Sequence, residues 1–259
     1  MVCDSITYHP TLTRLINFLE TNNGRDKLLR TLQYLARLVS FYLLKTGSGV
    51  NSYYLARRIQ DLFVLSRKPL RAFKPLRHLK TLSITLDNEL EDSYTKTLET
   101  VKQAGYSLYY GFDSIYWLKL LGLLKNKNGK LVRKIEQVCS FFWLIALVSG
   151  LLQNLRQLRV SYHKKQALLK ELTSSENKDP LDEKVNLEKQ KETLETQNTL
   201  LSRAKREAFV RILDSIVALN SFGSARINDG VAGGAGIITS VLQLQDLWKN
   251  TNVKETTEI

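Results

Sequence analysis

Residues 137–155 read QVCSFFWLIALVSGLLQNL, the longest stretch of the chain without a charged residue. As an α-helix this stretch is about 28 Å long at about 1.5 Å per residue, close to the ~30 Å thickness of the hydrocarbon core of a bilayer. It therefore predicts a membrane-spanning helix. The alternative is the central helix of a soluble bundle. Lys and Arg are similarly frequent on both sides, in 119–134 and in 156–170, so they do not orient the helix.

Two further segments are candidates for membrane helices. Residues 230–245 lie between two aspartates and contain Gly230 and Gly234, a small-xxx-small pair that lets helix backbones approach closely. The alternative is a Gly-rich turn followed by an amphipathic helix. Residues 103–124 are rich in Tyr and Trp, which favour the headgroup level, but they also suit an aromatic core helix. Asp113 inside that segment would need a partner or a water-filled path.

Charge is distributed unevenly along the 259 residues. The chain has 38 Lys+Arg and 25 Asp+Glu, a formal net charge of +13. Residues 1–170 contain 27 of the basic and 11 of the acidic residues, whereas 171–259 contain 11 and 14. The first two thirds are therefore expected to seek anionic partners, either nucleic acid or an anionic membrane surface. The hydrophobic content of 43% excludes wholesale disorder.

Nothing in the sequence indicates catalysis. Two cysteines and three dispersed histidines exclude a disulfide scaffold and leave little material for a metal centre or a catalytic triad. Nucleotide-binding loops, zinc-protease motifs and nucleophile elbows are absent from the sequence. The carboxylates of 87–92 are more typical of a solvated helix end than of an acid–base pair. We therefore predict a protein that is not an enzyme and that has no cofactor and no metal.

Helical periodicity predominates from end to end, which predicts an all-α, membrane-associated protein with amphipathic N-terminal helices and one to three hydrophobic membrane helices. One helix is expected from Asp26 to the Gly47-Ser48-Gly49 break, with an apolar stripe that begins at Leu28 and ends at Leu43. Another is expected from about Asn51 to Lys68. Four regions are predicted. They are an N-terminal amphipathic region (1–92), hydrophobic helices with the membrane anchor (93–170), a charged loop or linker (171–200) and C-terminal helices with the Gly-rich segment (201–259).

The linker itself is expected to begin with a polar loop over 171–186, in which Ser174 and Ser175 are potential phosphorylation sites. A charged, solvated helix is expected to follow up to about Asn198. Leucines recur there every seven residues, but the other seam positions are polar, so a coiled coil is disfavoured.

The segment 55–80 is strongly amphipathic and basic, and no acidic residue occurs between Asp61 and Asp87. On a helical wheel its large apolar side chains share an arc of about 100°, opposite most of its cations. This pattern is typical of a helix that lies in the plane of a membrane surface. Pro69 and Pro75 should interrupt the helix. The predicted membrane-insertion residues are Leu55, Ile59, Leu62, Phe63, Leu70 and Phe73, and the predicted lipid-headgroup residues are Arg57, Arg67, Lys68, Arg71 and Lys74.

Two alternatives compete for this segment. An ordinary helix of a soluble bundle has the same apolar stripe. A nucleic-acid-binding helix would also be basic, but RNA-recognition and zinc-finger signatures are missing, and the uncharged run 137–155 suits such a module poorly. We therefore expect an anionic phospholipid membrane as the partner, and no nucleic acid.

Taken in order, several stretches resemble the peroxin-11 family of peroxisomal membrane proteins, particularly its fungal members. The resemblance covers 1 to about 165 and 205 to 250. No single motif is diagnostic, and the order and combination of the stretches carry the resemblance. The matching stretches are Val2-Cys3-Asp4, Tyr8-His9-Pro10, Gly24-Arg25-Asp26-Lys27 with Arg30, Gln33-Tyr34-Leu35-Ala36-Arg37, 70–79, Thr239-Ser240-Val241-Leu242 and Gln245-Asp246-Leu247-Trp248-Lys249.

The resemblance implies a peroxisomal membrane protein that elongates and curves the membrane before division, using an N-terminal amphipathic helix that corresponds here to 55–68. It also implies self-association into homo-oligomers and cooperation with a dynamin-type fission machinery. Pro69 departs from the family pattern and is expected to shorten the helix. Gly230 and Gly234 would pack helices within or between subunits.

A channel for small metabolites is the alternative function, since some family members are described as pores. A pore needs polar residues along a path, and the sequence offers four candidates: Asp113, Lys119, Asn220 and Asn228. A passive adaptor for the fission machinery is a third possibility.

Overall fold

A computed structural model describes residues 9–47, 49–123, 129–174, 180–223 and 227–251. Within these ranges the protein consists of eight α-helices and one 3₁₀ turn, with no strand, which confirms the predicted all-α class. The elements are α1 (Pro10–Glu20), α2 (Asn22–Thr46), α3 (Val50–Arg67), the 3₁₀ turn (Pro69–Arg71), α4 (Lys74–Asp87), α5 (Ser93–Leu120), α6 (Gly129–Ser174), α7 (Pro180–Phe222) and α8 (Asp229–Lys249).

Capping residues set several of these helix ends. The Thr21 hydroxyl accepts a hydrogen bond from the Gly24 amide at 3.0 Å and begins α2. Gly47 ends α2 in the left-handed conformation, with φ at 66°, which glycine adopts at little cost. Side chains of Asp92 and Asn228 cap α5 and α8 in the same way as Thr21 caps α2.

Pro69 and Pro75 divide the basic segment as predicted. Pro69 opens the 3₁₀ turn, and Pro75 lies in the first turn of α4, where a missing amide proton costs no helical hydrogen bond. The amphipathic helix α3 therefore ends at Arg67, and 69–71 form a tight connection to α4.

The long helices surround a common interior. Each packs against the next in the spatial order α4, α5, α6, α7, α8, α2, α3, and the 3₁₀ turn contacts α2, α3 and α5. Helices α6 and α7 form an antiparallel hairpin, the most extensive helix pair. The arrangement brings residues of seven helices and the 3₁₀ turn to the wall of one central cavity.

The interior is unusually polar. Among the described residues, 19 polar or charged residues are buried, against 12 hydrophobic ones, most of them alanine. A small apolar core forms around Tyr34, Val217 and Ala235, with Trp143 packed against it. Many large aliphatic side chains lie on the outside instead. Soluble bundles have the opposite distribution, because burial of apolar surface drives their folding.

Three predicted boundaries need correction. Helix α2 begins at Asn22, because Thr21 caps it, rather than at Asp26. The connection after α6 is shorter than the predicted 171–186 loop, because α6 continues to Ser174 and α7 begins at Pro180. The predicted linker 171–200 is therefore largely helical. Ser175 and the first motif, Val2-Cys3-Asp4, lie outside the described residues.

The Gly-rich segment is helical throughout, so the alternative of a turn before the helix is wrong. Helix α8 contains it entirely and packs against α2. The glycines allow this close contact, since a Cβ at Gly236 would collide with the ring of Tyr34, and one at Gly233 would crowd the backbone of Leu38.

This contact gives a matched pair of substitutions. Gly236→Ala is expected to lower the free energy of unfolding by about 1–3 kcal/mol, because the added methyl group overpacks the α2–α8 contact. Gly234 has nothing within 4 Å of the equivalent position. Gly234→Ala should therefore stabilise by up to about 1 kcal/mol through helix propensity. Thermal unfolding of both variants in detergent measures the difference, and equal midpoints would contradict the observed packing.

Candidate functional site

The outer surface of α2, α3 and α4 is apolar. In α2, the predicted stripe lies outside: Leu28, Leu32, Leu35 and Val39 are all exposed. Leu55 and Leu62 of α3 are 61% and 57% exposed. We call the exposed apolar side chains of these three helices, with Phe73, the outer apolar face. Single exposed leucines are normal, but so many large apolar side chains exposed on three helices are typical of an interaction site for protein or membrane.

The opposite side of the same helices is charged and buried. Asp26 of α2 forms ion pairs with Arg67 Nε at 3.0 Å, Lys74 Nζ at 3.3 Å and Arg71 Nε at 3.8 Å. Asp113 of α5 forms ion pairs with Lys68 Nζ at 2.5 Å and Arg71 Nη2 at 3.2 Å. We call these six residues the basic cluster: Asp26, Arg67, Lys68, Arg71, Lys74 and Asp113.

Neutral acceptors complete the cluster. Arg67 donates a hydrogen bond to the Gln33 side chain at 2.5 Å, and Arg71 donates one to the Tyr109 hydroxyl at 3.1 Å. Buried guanidinium groups need such acceptors, because an unpaired buried donor costs about 1–3 kcal/mol. These contacts satisfy hydrogen-bonding geometry but add no negative charge.

The charged groups of the basic cluster shift one another's pKa values. Burial alone would raise the pKa of Asp26, but the nearby Arg67, Arg71 and Lys74 outweigh it and hold that pKa well below its usual range. Burial lowers the pKa of Lys68 and of Lys74 in spite of their carboxylate partners. Asp26 is consequently an anion at any physiological pH.

Two further sets of ion pairs extend the charged interior. Arg30 Nη2 lies 2.5 Å from Asp214 Oδ1 and joins α2 to α7, and both side chains are buried. Arg37 and Arg57 share Asp229, with N–O distances of 2.6 and 3.0 Å, and join α2 and α3 to α8. These ion pairs join the interior surfaces of α2 and α3 to the C-terminal helices in addition to the close packing of α2 against α8.

All of these groups except Lys74 line a cavity of about 660 Å³. Besides Arg67, Lys68 and Arg71 of the basic cluster, the cations of the wall are Lys27, Arg30, Arg37 and Arg57. One wall is aromatic, with Tyr106, Tyr109 and neighbouring rings. In the part of the chain that the structure describes, no group of three or more His, Cys, Asp or Glu residues is arranged to hold a metal ion.

Comparison with known proteins identifies the family. The sequence model of the family Peroxisomal biogenesis factor 11 (PEX11) matches residues 12–248 of the chain. The chain belongs to the PEX11 family. It is similar to the peroxisomal membrane protein PMP30B of Candida boidinii, at 43% identity over 97% of this chain and 99% of the relative.

Two other fungal proteins are relatives of this PEX11-family protein. Peroxisomal membrane protein PMP27 of Saccharomyces cerevisiae is 34% identical over 97% of this chain and 100% of its own length. Peroxisomal biogenesis factor 11 of Schizosaccharomyces pombe is 24% identical over 93% and 96%. No solved structure matches the chain. The family resemblance and the peroxisomal membrane localisation are confirmed, and the protein is involved in peroxisome biogenesis.

The predicted membrane-insertion residues of this PEX11-family protein divide into two groups. Leu55, Ile59, Leu62 and Phe73 belong to the outer apolar face, and Phe73 is the most exposed of them at 81%. Phe63 and Leu70 are half-buried. Insertion of all six residues into lipid stays a prediction.

The predicted headgroup residues need a correction. Arg67, Lys68 and Arg71 are buried in the ion pairs of the basic cluster, so in this conformation they do not face a membrane surface. Arg57 and Lys74 are only partly exposed and are likewise paired with interior aspartates. The reason is that carboxylates from other helices compete with water and lipid for these cations.

The residues predicted to pack helices or to line a channel lie in different surroundings. Gly230 approaches the ring of Phe41 in α2, whereas Gly234 meets no other side chain or backbone, so only the first packs helices within the described chain. Asp113 and Asn220 line the cavity. Asn228 instead caps α8, and neither it nor Lys119 is part of the cavity wall.

Sequence reasoning missed the acidic half of the site: Asp26, Asp214 and Asp229. A signal for α2 was available, because its polar residues at 26, 30, 33 and 37 recur at helical spacing. That spacing defines a second continuous face, but it does not say which face of the helix points inward.

Proposed function

We propose that this protein inserts its outer apolar face into one leaflet of the peroxisomal membrane, curves and elongates the membrane, and so promotes peroxisome proliferation and fission. The observation that carries the proposal is the exposure of the apolar side chains of α2, α3 and α4 while most charges of the basic cluster are buried. Helices immersed on one side expand that leaflet relative to the other, and the area difference bends the bilayer.

The free energies of transfer of the exposed side chains support insertion of the outer apolar face into the membrane. A large apolar side chain contributes about 1.5–3 kcal/mol when fully buried, and less when it is half immersed. The outer apolar face contains more than eight such side chains. Exposed cations on the same helices, Arg58, Arg77 and Lys80, are positioned to meet anionic headgroups at about 1 kcal/mol each. In this proposal they replace the buried cations of the basic cluster.

Helix α6 supplies the anchor. Within the described residues, it is the one helix long and apolar enough to cross a membrane, over 133–170. Only 33% of its most apolar window is buried inside the protein, so most of that surface is free to contact lipid. Stable attachment through α6 would hold the outer apolar face at the bilayer surface.

Self-association and recruitment of a dynamin-type fission machinery complete the proposal. Both come from the family resemblance. Homo-oligomers would concentrate the inserted helices along a growing membrane tubule. The fission machinery would then act on the narrowed membrane.

A pore for small metabolites is the second candidate function. The observation that favours it is the 660 Å³ charged cavity at the centre of the helices. A polar path enclosed by helices with apolar exteriors is what passage of polar solutes through a bilayer requires.

One reconstitution tests both functions. The purified full chain is added to anionic vesicles loaded with a small fluorescent anion, and the samples are imaged by electron microscopy while dye release is followed. Tubules without dye release are expected if remodelling is the function. Release that Asp113→Asn alters, from vesicles that stay spherical, would favour the pore. Vesicles that stay spherical and release no dye would contradict both functions, and the passive adaptor for the fission machinery would remain.

A further inference from the structure

The basic cluster contains more positive than negative charge. Its four cations, Arg67, Lys68, Arg71 and Lys74, share two carboxylates, so two positive charges have no anionic partner within the cluster. The neighbouring pairs do not supply the difference. Arg30 and Asp214 balance each other, and Asp229 is shared by two arginines.

Lys27 adds to this excess. It lines the same cavity, and among the described residues it forms no ion pair. Burial and the charge of Arg30 lower the pKa of Lys27 to about 7. A lysine is driven toward neutrality where positive charge is already uncompensated. The remaining acids of the wall, Asp61 and Glu136, form no ion pair with the basic cluster among the described residues.

Uncompensated buried charge is costly, and a bound counter-ion is one way to remove the cost. We propose that the cavity binds an organic phosphate monoester, with the phosphate group held among Lys27, Arg67 and Arg71. A phosphate monoester carries about −1.5 to −2 charges at pH 7, which matches the excess of two that Lys27, Arg67, Lys68 and Arg71 have over Asp26 and Asp113 on the cavity wall. A carboxylate or a phosphodiester carries only one.

The chemistry of the wall fits the rest of such a ligand. Guanidinium groups present forked donors that match phosphate oxygens. A volume of about 660 Å³ exceeds what a phosphate group needs, so an organic body has room. Tyr106, Tyr109 and Tyr110 line the cavity as well, and their rings offer apolar contact surface to that body. The phosphate belongs either to a soluble metabolite or to the headgroup of a monoester lipid.

Binding is measured on the purified full chain in a non-ionic detergent, by isothermal titration with glycerol 3-phosphate and, separately, with short-chain phosphatidic acid. Acetate at matched ionic strength is the control anion. Saturable binding of either phosphate, without saturable binding of acetate, is expected. Binding of glycerol 3-phosphate assigns the cavity to soluble organic phosphates, and binding of the lipid alone assigns it to a headgroup.

Variants locate the site. Lys27→Gln breaks no ion pair and should fold normally, but it should weaken phosphate binding about tenfold, since a charge-assisted hydrogen bond is lost. Arg71→Gln should weaken binding further where it folds. Lys205→Gln removes an exposed cation of α7 outside the cavity and should change nothing. Absence of saturable binding, or a Lys27→Gln variant that binds like the native chain, would overturn the proposal. The assay needs no membrane, so it stands apart from the remodelling test.

Discussion

Replacing Leu55 and Leu62 by glutamate is expected to abolish membrane tubulation by the full chain. Both side chains are more than half exposed, so the substitutions leave the interior of the bundle unchanged. Each removes up to about 1.5–3 kcal/mol of apolar insertion, and the new carboxylates oppose immersion further. A combined loss of about 3 kcal/mol corresponds to a roughly hundredfold weaker population of the inserted state. Electron microscopy of anionic vesicles measures the outcome.

Leu90→Glu is the matched control. Leu90 is 99% exposed in the connection between α4 and α5, so the same side chain is removed and the same charge is added outside any helix. This variant should tubulate vesicles like the native chain. Phe63 is avoided because it is half-buried, and a glutamate there would disturb folding. Normal tubulation by Leu55→Glu/Leu62→Glu would show that the outer apolar face does not drive curvature.

Asp26→Asn is expected to have the largest effect on stability. The substitution keeps the shape of the side chain but leaves Arg67, Arg71 and Lys74 without the carboxylate that they share. Removal of one partner from a buried ion pair typically costs about 3–5 kcal/mol. The thermal midpoint in detergent, followed by tryptophan fluorescence, should fall by roughly 10 °C or more.

The loss of stability in Asp26→Asn is expected to depend on pH. Because the pKa of Asp26 is held well below its usual range, its contribution is complete above the ordinary carboxyl pKa and is lost as the pH falls toward the lowered value. The difference in free energy of unfolding between the native chain and Asp26→Asn should therefore narrow as the pH falls below the ordinary carboxyl pKa.

Two further variants separate the ion-pair network from a general loss of charge. Asp61→Asn removes an exposed carboxylate of α3 and should change stability by no more than about 0.5 kcal/mol. Adding Lys74→Gln to Asp26→Asn removes one of the three stranded cations and should recover part of the loss. An Asp26→Asn variant as stable as Asp61→Asn would mean that the basic cluster does not hold the bundle together.

Most of the helices could be predicted from local chemistry. The Gly47 break and the two prolines bound α2, α3 and α4 because their backbone constraints are independent of the rest of the fold. The region 171–186 was predicted as a polar loop that precedes a charged, solvated helix. It is largely helical because packing against α6, rather than propensity, stabilises most of α7.

The site was only half predictable. The two faces of α3 follow from periodicity, but which face points inward depends on the solvent that surrounds the protein. In a soluble protein surrounded by water Leu62 would be buried, whereas in a bilayer its exposure to lipid is favourable. The carboxylates that draw the cations inward come from distant parts of the chain. Arg67 is 41 residues from Asp26, and Arg30 is 184 from Asp214, so no local pattern pairs them.

We propose that the outer apolar face lies in the bilayer while the charged faces of the same helices do not. Spin labels at Leu62 and Phe73, in full chains freed of Cys3 and Cys139, test it in anionic vesicles. A label at Arg203, which is exposed and charged, is the aqueous control. We predict that the first two labels are relaxed mainly by oxygen dissolved in lipid, and the third by a water-soluble nickel complex. Strong relaxation of the Leu62 and Phe73 labels by the nickel complex would contradict the claim.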